Sequence, residues 1–486
     1  MKRTGKINAL LGLFACSLAV ISCTTSKQAQ PTIAQDVPAT FASPAQAGVV
    51  EDQWWKRFGD ERLNALVDKA VADNPSIGKA IARVKQAQAQ ARIAGADRLP
   101  QLGVGLNASK QKQTLASLGI ALPGTGQANN QSSFTIENYQ LSANVSWEID
   151  LWGKLSAQSA AARTEFLASK DNLRGVRQTI AAQTVRSYFA VIEAQQQVSL
   201  SEDIVKTYAE TARQIGNRVQ YGKSPPNDGL LAKSNLRSAQ ADLEQRKQNF
   251  ERATRQLDIL TRDYPDGVVD VASALPAVPP APPAGLPAQL LERRPDIAAA
   301  ELSLKAAGYR LTAAERSFLP SIELTGLAGT SSTSLANIFD PAFFIWSIAG
   351  QLLQPVFQGG RLRAQVELRD GERDEALENF ADTVLTALSE VETALAIEQN
   401  LARQETALAA AADDAQRAAK IAFNRYYVGS DPFLNVLEAQ QRAFDARGAY
   451  LTTRKARFDN RIALHLALGG GFVPAKEIID FPEQNN

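Results

Sequence analysis

Two hydrophobic periods divide this chain between them. In four stretches apolar residues recur at every second position, as in a strand with one apolar and one polar face. Tyr139, Leu141, Ala143, Val145, Trp147 and Ile149 alternate with Gln140, Ser142, Asn144, Ser146 and Glu148. Leu102, Val104, Leu106 and Ala108 alternate with Gln101, Gly103, Gly105 and Asn107. Ile322 and Leu324 alternate with Glu323 and Thr325, while Phe344, Trp346, Ile348 and Leu352 make a less regular face. Stretches of about ten residues with this pattern suit a tilted membrane strand, and a soluble sandwich equally well. Elsewhere the spacing is three and four. Leu377, Phe380, Val384, Leu388, Val391 and Leu395 form one seam, and Leu236, Ala239, Leu243, Phe250, Ala253, Leu257 and Leu260 another. Leu437, Phe444, Leu451 and Phe458 recur every seventh residue, which is coiled-coil patterning. Between Lys154 and Arg218 there is no proline and only Gly175 and Gly216, predicting one helix of about 100 Å.

The order of elements occurs twice. Asn74-Pro75-Ser76-Ile77 matches Arg294-Pro295-Asp296-Ile297, and Arg98-Leu99-Pro100-Gln101 matches Phe318-Leu319-Pro320-Ser321, both 220 positions on. Further along, Gly153-Lys154-Leu155 matches Gly360-Arg361-Leu362, Arg218 with Gly222 matches Arg425 with Gly429, and Leu257 matches Leu464, all 207 positions on. The shift between the two offsets falls where the first copy carries a longer polar loop, Thr114 to Ser133. The chain is therefore a tandem duplication. Its expected divisions are a signal segment (1–22), an N-terminal segment with a helix (23–73), a first repeat (74–262), a Pro-rich linker (263–293), a second repeat (294–469) and a tail (470–486). Each repeat runs helix, strand, loop, strand, long helix, tight turn, long helix. The linker prolines favour an extended, semi-rigid crossing.

Composition removes several classes of chemistry. The 486 residues carry 52 basic and 51 acidic side chains, which gives no basic footprint for nucleic acid. The two cysteines, Cys16 and Cys23, both lie near the start, and His465 is the only histidine. That excludes a disulfide framework and a Cys/His zinc site. His465 falls in the apolar helical run Ala463 to Leu468 and reads as a packing position. No Walker A, H-E-x-x-H, C-x-x-C or G-x-S-x-G pattern occurs, so no enzyme and no cofactor is expected. Acid pairs such as Asp413-Asp414 read as solvated helix faces.

Residues 1–23 read as an export signal. Lys2, Arg3 and Lys6 precede the apolar stretch Ala9 to Ile21, and Val20-Ile21-Ser22-Cys23 places a small residue just before a cysteine. This order resembles a bacterial lipoprotein signal, with Cys23 as the acylated residue. Leu13-Phe14-Ala15-Cys16 would leave a very short apolar region, and an ordinary secretory signal is the alternative. Thr24 and Thr25 follow, not the aspartate usual in lipoproteins kept at the inner membrane. Removal of 1–22 takes away three cations and no acid, so a formal charge of +1 becomes −2. It also removes Met1, the only methionine.

Past the signal no apolar run is long enough for a spanning helix. A further membrane crossing must use strands, and four strands cannot close a barrel whose edges would otherwise stand unpaired in lipid. Strands must then be pooled between subunits. Two chains would give eight, and three would give twelve with a passable lumen.

The segment Gly285 to Glu301, with Leu290-Leu291-Glu292-Arg293-Arg294-Pro295-Asp296-Ile297 at its centre, followed by Phe318-Leu319-Pro320-Ser321-Ile322, resembles the signature of the TolC-like outer-membrane factors, the efflux lipoproteins of tripartite pumps. The turns Arg218-Val219-Gln220-Tyr221-Gly222 and Arg425-Tyr426-Tyr427-Val428-Gly429 resemble that family's hairpin tips, and Trp147 to Gly153 its strand-to-helix junction. The resemblance implies a mainly α fold with a membrane β-barrel. Three chains would supply four strands each to a 12-stranded barrel above a long α-helical periplasmic barrel. A belt of shorter helices, including Trp54 to Ala72 and the chain end, would surround the middle. The implied function is a passive gated duct for small molecules, lipid-anchored and inserted in the outer membrane. Its implied partners are a periplasmic adaptor and an inner-membrane transporter of the resistance-nodulation-division type. Protein secretion is the alternative cargo. A periplasmic adaptor, or a structural coiled-coil lipoprotein, is the alternative of a different class, although an adaptor would carry one hairpin in a β-rich module and this chain has two.

The resemblance also implies a gate at Gly222 and Gly429. A tyrosine three residues before the second tip glycine, here Tyr426, would bond an aspartate six residues after the first, here Asp228. A second family link expects a base two residues past the second glycine, where this chain has Asp431. Asn435 stands where an acid is common, and Glu438 keeps one. Three-fold symmetry would make carboxylate rings of Asp431 and Glu438, attractive to cations. The alternative is that these acids cap or solvate the helix after Gly429.

Overall fold

The computed structural model describes residues 38–42, 53–114, 133–285 and 287–470. The expected signal with Cys23, most of the polar loop and the tail beyond Gly470 lie outside the described residues. A short 3-10 turn, Trp54–Phe58, precedes α1 (Glu61–Asp73) and α2 (Pro75–Ala96). Strands β1 (Gln101–Thr114) and β2 (Ser133–Ile149) lead into the 67-residue helix α3 (Lys154–Gln220) and its return α4 (Pro226–Leu260). After the linker come α5 (Pro287–Arg293), α6 (Pro295–Arg316), β3 (Ser321–Ser332), β4 (Phe344–Leu353), the 67-residue α7 (Arg361–Tyr427) and α8 (Phe433–Ala467).

The strands form one antiparallel sheet in the order β1-β2-β3-β4. Its register collects every apolar alternation on a single face. Leu102 lies opposite Val145, which lies opposite Gly326, which lies opposite Ile348; the next rows are Val104, Ala143, Ala328, Trp346 and Leu106, Leu141, Thr330, Phe344. The fourth strand is regular after all, because Gly350 fills the slot between Ile348 and Leu352 and lies opposite Leu324. The other face carries Gln101, Ser146, Thr325 and Gln140, Ser331 in the same way, with Phe134, Ile136, Leu327, Ile345, Ala349 and Leu353 as apolar exceptions. A one-residue slip would exchange the two faces, so this register is strongly determined once one face meets lipid. At Gly329 an added Cβ would stand 2.1 Å from the Leu141 carbonyl oxygen, so only glycine lets β2 and β3 approach there.

The helices continue the sheet in the same lateral order. α2 runs into β1, β2 into α3, α6 into β3 and β4 into α7, and the helices pack as α2-α3-α6-α7. Below them the layer becomes α4-α3-α8-α7. No described helix is apolar enough to cross a membrane. The seams bury as their spacing predicts: Phe380, Val384, Val391 and Leu395 on α7, and Leu257 and Leu260 on α4. At mid-height Trp54, Trp55 and Phe58 wedge against Phe189 and Phe458, with rings 5.0 Å apart for Phe58–Phe189 and 4.6 Å for Phe189–Phe458. His465 is fully buried and stacks on Trp54 at 4.8 Å. Burial, with Arg461 and Arg57 nearby, pushes its pKa down to about 3, so it packs as a neutral ring.

The two copies solve one joint in two ways. Asn74, the N-cap of α2, accepts from the Ser76 amide and donates to the Leu260 carbonyl at 2.8 Å. Arg294 holds the corresponding place before α6 and donates to the carbonyl of Ala467, the residue 207 positions after Leu260, at 3.1 Å. Its guanidinium also forks onto Asp296 (3.0 and 2.6 Å) and reaches Glu390 at 2.6 Å. Burial alone would raise the Asp296 carboxyl, but the Arg294 bonds and charge hold it below the usual range. The Arg-Pro-Asp-Ile motif is thus a clamp joining the start of α6, the middle of α7 and the end of α8. One feature of the linker departs from the extended crossing its prolines favour: its last seven residues form the short helix α5, with Pro287 at the first position, where a missing N–H costs nothing.

Candidate functional site at the hairpin tips

Both long helices end identically. Gly222 and Gly429 adopt φ of +70° and +82°, a left-handed conformation that glycine takes without a Cβ penalty. Lys223 N–H bonds the Arg218 carbonyl (2.7 Å) and Gly222 N–H the Val219 carbonyl (3.0 Å). Ser430 N–H bonds Arg425 and Gly429 N–H bonds Tyr426, each at 2.9 Å. These are paired Schellman closures, which satisfy the last helical carbonyls and turn the chain back in a few residues. Pro225 and Pro432 then start α4 and α8.

The tips touch through side chains. Tyr426 is buried against Phe433, rings 5.3 Å apart, in a cluster with Tyr208, Ile215 and Val436. Its hydroxyl lies 3.4 Å from Asp228 Oδ2 and 2.8 Å from Ser224 Oγ. The expected pair is therefore brought together, but the shorter contact is to Ser224. Donor rules order the chain of bonds. An ionised carboxylate only accepts, so the Tyr426 proton goes to Asp228; the Ser224 hydroxyl then donates to Tyr426 and accepts from Arg218 Nε at 3.2 Å. Arg218 also donates to the Tyr427 carbonyl at 3.0 Å and stands 5.2 and 5.7 Å from the rings of Tyr426 and Tyr427. One cation of the first hairpin thus grips two tyrosines of the second.

The acids of the second tip are placed differently from one another. Asp431 pairs with Arg425 at 3.1 Å and its side chain is 18% exposed, whereas Glu438 is 55% exposed and only loosely paired with Arg442 at 3.5 Å. Asp431 carries a local counter-charge that its place in the sequence does not announce. Neither acid caps α8, whose N-cap is Pro432 without a side-chain bond. Arg425–Asp431 repeats Arg218–Ser224 at an offset of 207: in each copy the last-turn arginine folds over the turn onto the residue six positions on. The recurrence of arginine was visible in the sequence, but its partner changed from Ser to Asp, which hid the contact. No cluster of three His, Cys, Asp or Glu side chains suited to a metal occurs among the described residues.

Residues 66–261 and 286–470 match the family model described as outer membrane efflux protein. The outer membrane protein OprJ of Pseudomonas aeruginosa is 32% identical over 478 residues, covering 96% of each chain. The cation efflux system protein CusC of Escherichia coli K12 is 28% identical over 474 residues, 94% of this chain and 98% of that one. Among solved structures the outer-membrane channel OprN gives a TM-score of 0.80 at 26% identity, covering 90% of this chain and 98% of that one. The Campylobacter jejuni CmeC outer membrane channel gives 0.80 at 26%, covering 90% and 94%. With both repeats matched and the fold shared nearly end to end, this chain belongs to the outer membrane efflux protein family.

Proposed function

We propose that three copies of this chain form an outer-membrane channel, the exit duct of a tripartite efflux system working with a periplasmic adaptor and an inner-membrane transporter of the resistance-nodulation-division type. The observation that carries this reading is the sheet. One face is apolar across all four strands, and β1 and β4 each leave an edge unpaired among the described residues. In lipid such edges are very costly, and pooling strands between copies removes them. Leu102, Val104, Trp346 and Ile348, all more than two-thirds exposed in the single chain, then face acyl chains. Helices α3 and α7 extend the wall by about 100 Å at 1.5 Å per residue, long enough to cross much of a periplasm. Selection and energy belong to the transporter, and the duct opens or closes at the tips.

Native mass spectrometry of the detergent-purified protein is expected to show three chains per particle, and those particles to conduct ions in planar bilayers. A dominant monomer that still conducts refutes the pooled barrel. Acylation at Cys23, proposed from the Val20-Ile21-Ser22-Cys23 order, predicts that a radiolabelled fatty acid marks the wild type and not Cys23→Ser. Equal labelling of both would remove the anchor. Each buried methylene contributes roughly 0.8 kcal/mol, but the barrel also holds the protein in the membrane, so Cys23→Ser should stay partly functional.

A further inference from the structure

Where strands give way to helices, α2, α3, α6 and α7 each turn one face toward a common cavity of about 970 Å³. Four adjacent members of one curved layer can share a cavity only on its concave side. The polar face of the sheet lies on that same side, because three of the four strand residues lining the cavity, Glu148, Ser321 and Leu353, are polar-face positions, the fourth being Ile149 at the end of β2. It is therefore continuous with the surface that a closed barrel would turn toward its lumen.

Its lining carries six basic side chains against three acidic ones. The acids are all engaged. Glu148 pairs with Lys154 at 2.6 Å, and Glu165 with Arg310. Asp150 accepts from the Leu155 and Ser156 amides at the start of α3, at 2.9 and 2.7 Å, and from the Ser156 hydroxyl. Burial opposes the charge on Asp150, yet these bonds hold its carboxyl below the usual range. Of the remaining bases Arg369 has Glu372 at 2.7 Å. Arg83, Arg316 and Arg361 have no acid within ion-pair distance among the described residues. Arg316 donates to the Gly153 carbonyl (2.7 Å) and Arg361 to the Gln358 side-chain oxygen (2.6 Å), so both are oriented by neutral acceptors that leave their charge uncancelled. Glu323, with no ion pair among the described residues, lies opposite Glu148 on the same sheet face but does not line the cavity.

We propose that this cavity is an anion-binding vestibule, which concentrates small multivalent anions of the phosphate type on their way into the barrel. The inference rests on the channel reading, which places three copies of the arginine set around one lumen. Rings of arginine or lysine favour anions in pores through their charge, which either side chain supplies. Charges on opposite walls of an aqueous lumen are screened over about 8 Å at 0.15 M salt, so the effect should weaken as salt rises. The sign is opposite to that of the exposed Glu438 carboxylates at the far end of the helices.

Inorganic triphosphate serves as the probe, added on the barrel side of single channels in planar bilayers, with the tips loosened by Tyr426→Phe and Asp228→Ala so that the gate does not set the current. Triphosphate is expected to block the current, with a half-blocking concentration that rises at least tenfold when salt is raised from 0.1 to 1 M. Arg83→Gln with Arg361→Gln should raise it at least tenfold at 0.1 M salt; Arg316 is kept because it also ties Gly153. The lysine pair at the same positions should stay within about threefold of the parent. Channels that conduct but show no block, or equal block in the parent and the glutamine pair, overturn the vestibule and leave the channel reading intact. Loss of block in the lysine pair as complete as in the glutamine pair also overturns it. Absence of any conductance in trimeric particles defeats the channel reading instead.

Discussion

Arg218→Ala should open the channel more than the loss of the tyrosine–aspartate pair does. Tyr426→Phe with Asp228→Ala removes a 3.4 Å contact and the Ser224 bond, while Arg218→Ala removes bonds to Ser224 and the Tyr427 carbonyl together with two ring contacts. At a partly exposed tip a guanidinium hydrogen bond contributes about 1.5 kcal/mol net, a neutral one about 1 kcal/mol, and a cation over a ring about 0.5–1 kcal/mol where water reaches it. On that scale the arginine's contacts across to the second tip, the Tyr427 carbonyl and the two rings, hold the tips together with about 2–3 kcal/mol per chain, against about 1–2 for the pair. At about 1.4 kcal/mol per decade, open probability should rise tens to hundreds of times for Arg218→Ala and roughly tenfold for the double variant. Single-channel recording measures both, and trimer yield should not change, because the substitutions lie at the far end from the barrel. Wild-type conductance in an intact Arg218→Ala trimer would place the gate elsewhere.

How far the residues announce this arrangement depends on the range of the interaction. Strand alternation and helical seams are local, and the structure places Leu102 to Leu106, Tyr139 to Ile149 and Phe380 to Leu395 as their periods predict. The β4 alternation looks irregular because Gly350 has no side chain to mark its turn and because Ile345, Ala349 and Leu353 put apolar side chains on the other face; the register assigns each to its face. The short helix Pro287–Arg293 is masked by the prolines around it, since a proline at the first helical position leaves the same trace as one in an extended linker. At the tips the glycines are legible because a tight reversal needs a left-handed residue. Arg218 and Ser224 are not, because their role depends on which hairpin lies beside which. That neighbour relation comes from α3 packing on α8 over their whole shared length, a property of no short segment. Asp431 shows the same limit: its position suggests a free carboxylate, and only the fold of the turn brings Arg425 to it.

The second large effect is on stability, at the clamp within the second repeat. Arg294→Ala should cost about 2–4 kcal/mol, since it strips the Ala467 carbonyl of a buried donor and leaves Asp296 and Glu390 facing an empty site. Breaking a fully buried pair costs about 3–5 kcal/mol; Asp296 and Glu390 are each nearly half exposed, and water recovers part of that. The first copy supplies the control. Asn74 fills the equivalent joint with a cap to Ser76 and one bond to Leu260, so Arg294→Asn can adopt the same geometry toward the start of α6 and Ala467. A helix N-cap contributes about 1 kcal/mol, and Arg294→Asn should regain about that much over Arg294→Ala. Asn74→Ala should cost about 1–2 kcal/mol, less than Arg294→Ala, because no charge is left behind. Heat-induced loss of helical signal from the purified trimer orders the variants: wild type highest, then Asn74→Ala, then Arg294→Asn, then Arg294→Ala. If Arg294→Asn melts no higher than Arg294→Ala, the two joints are not equivalent. If Asn74→Ala melts as low as Arg294→Ala, the charge of Arg294 adds nothing to the clamp.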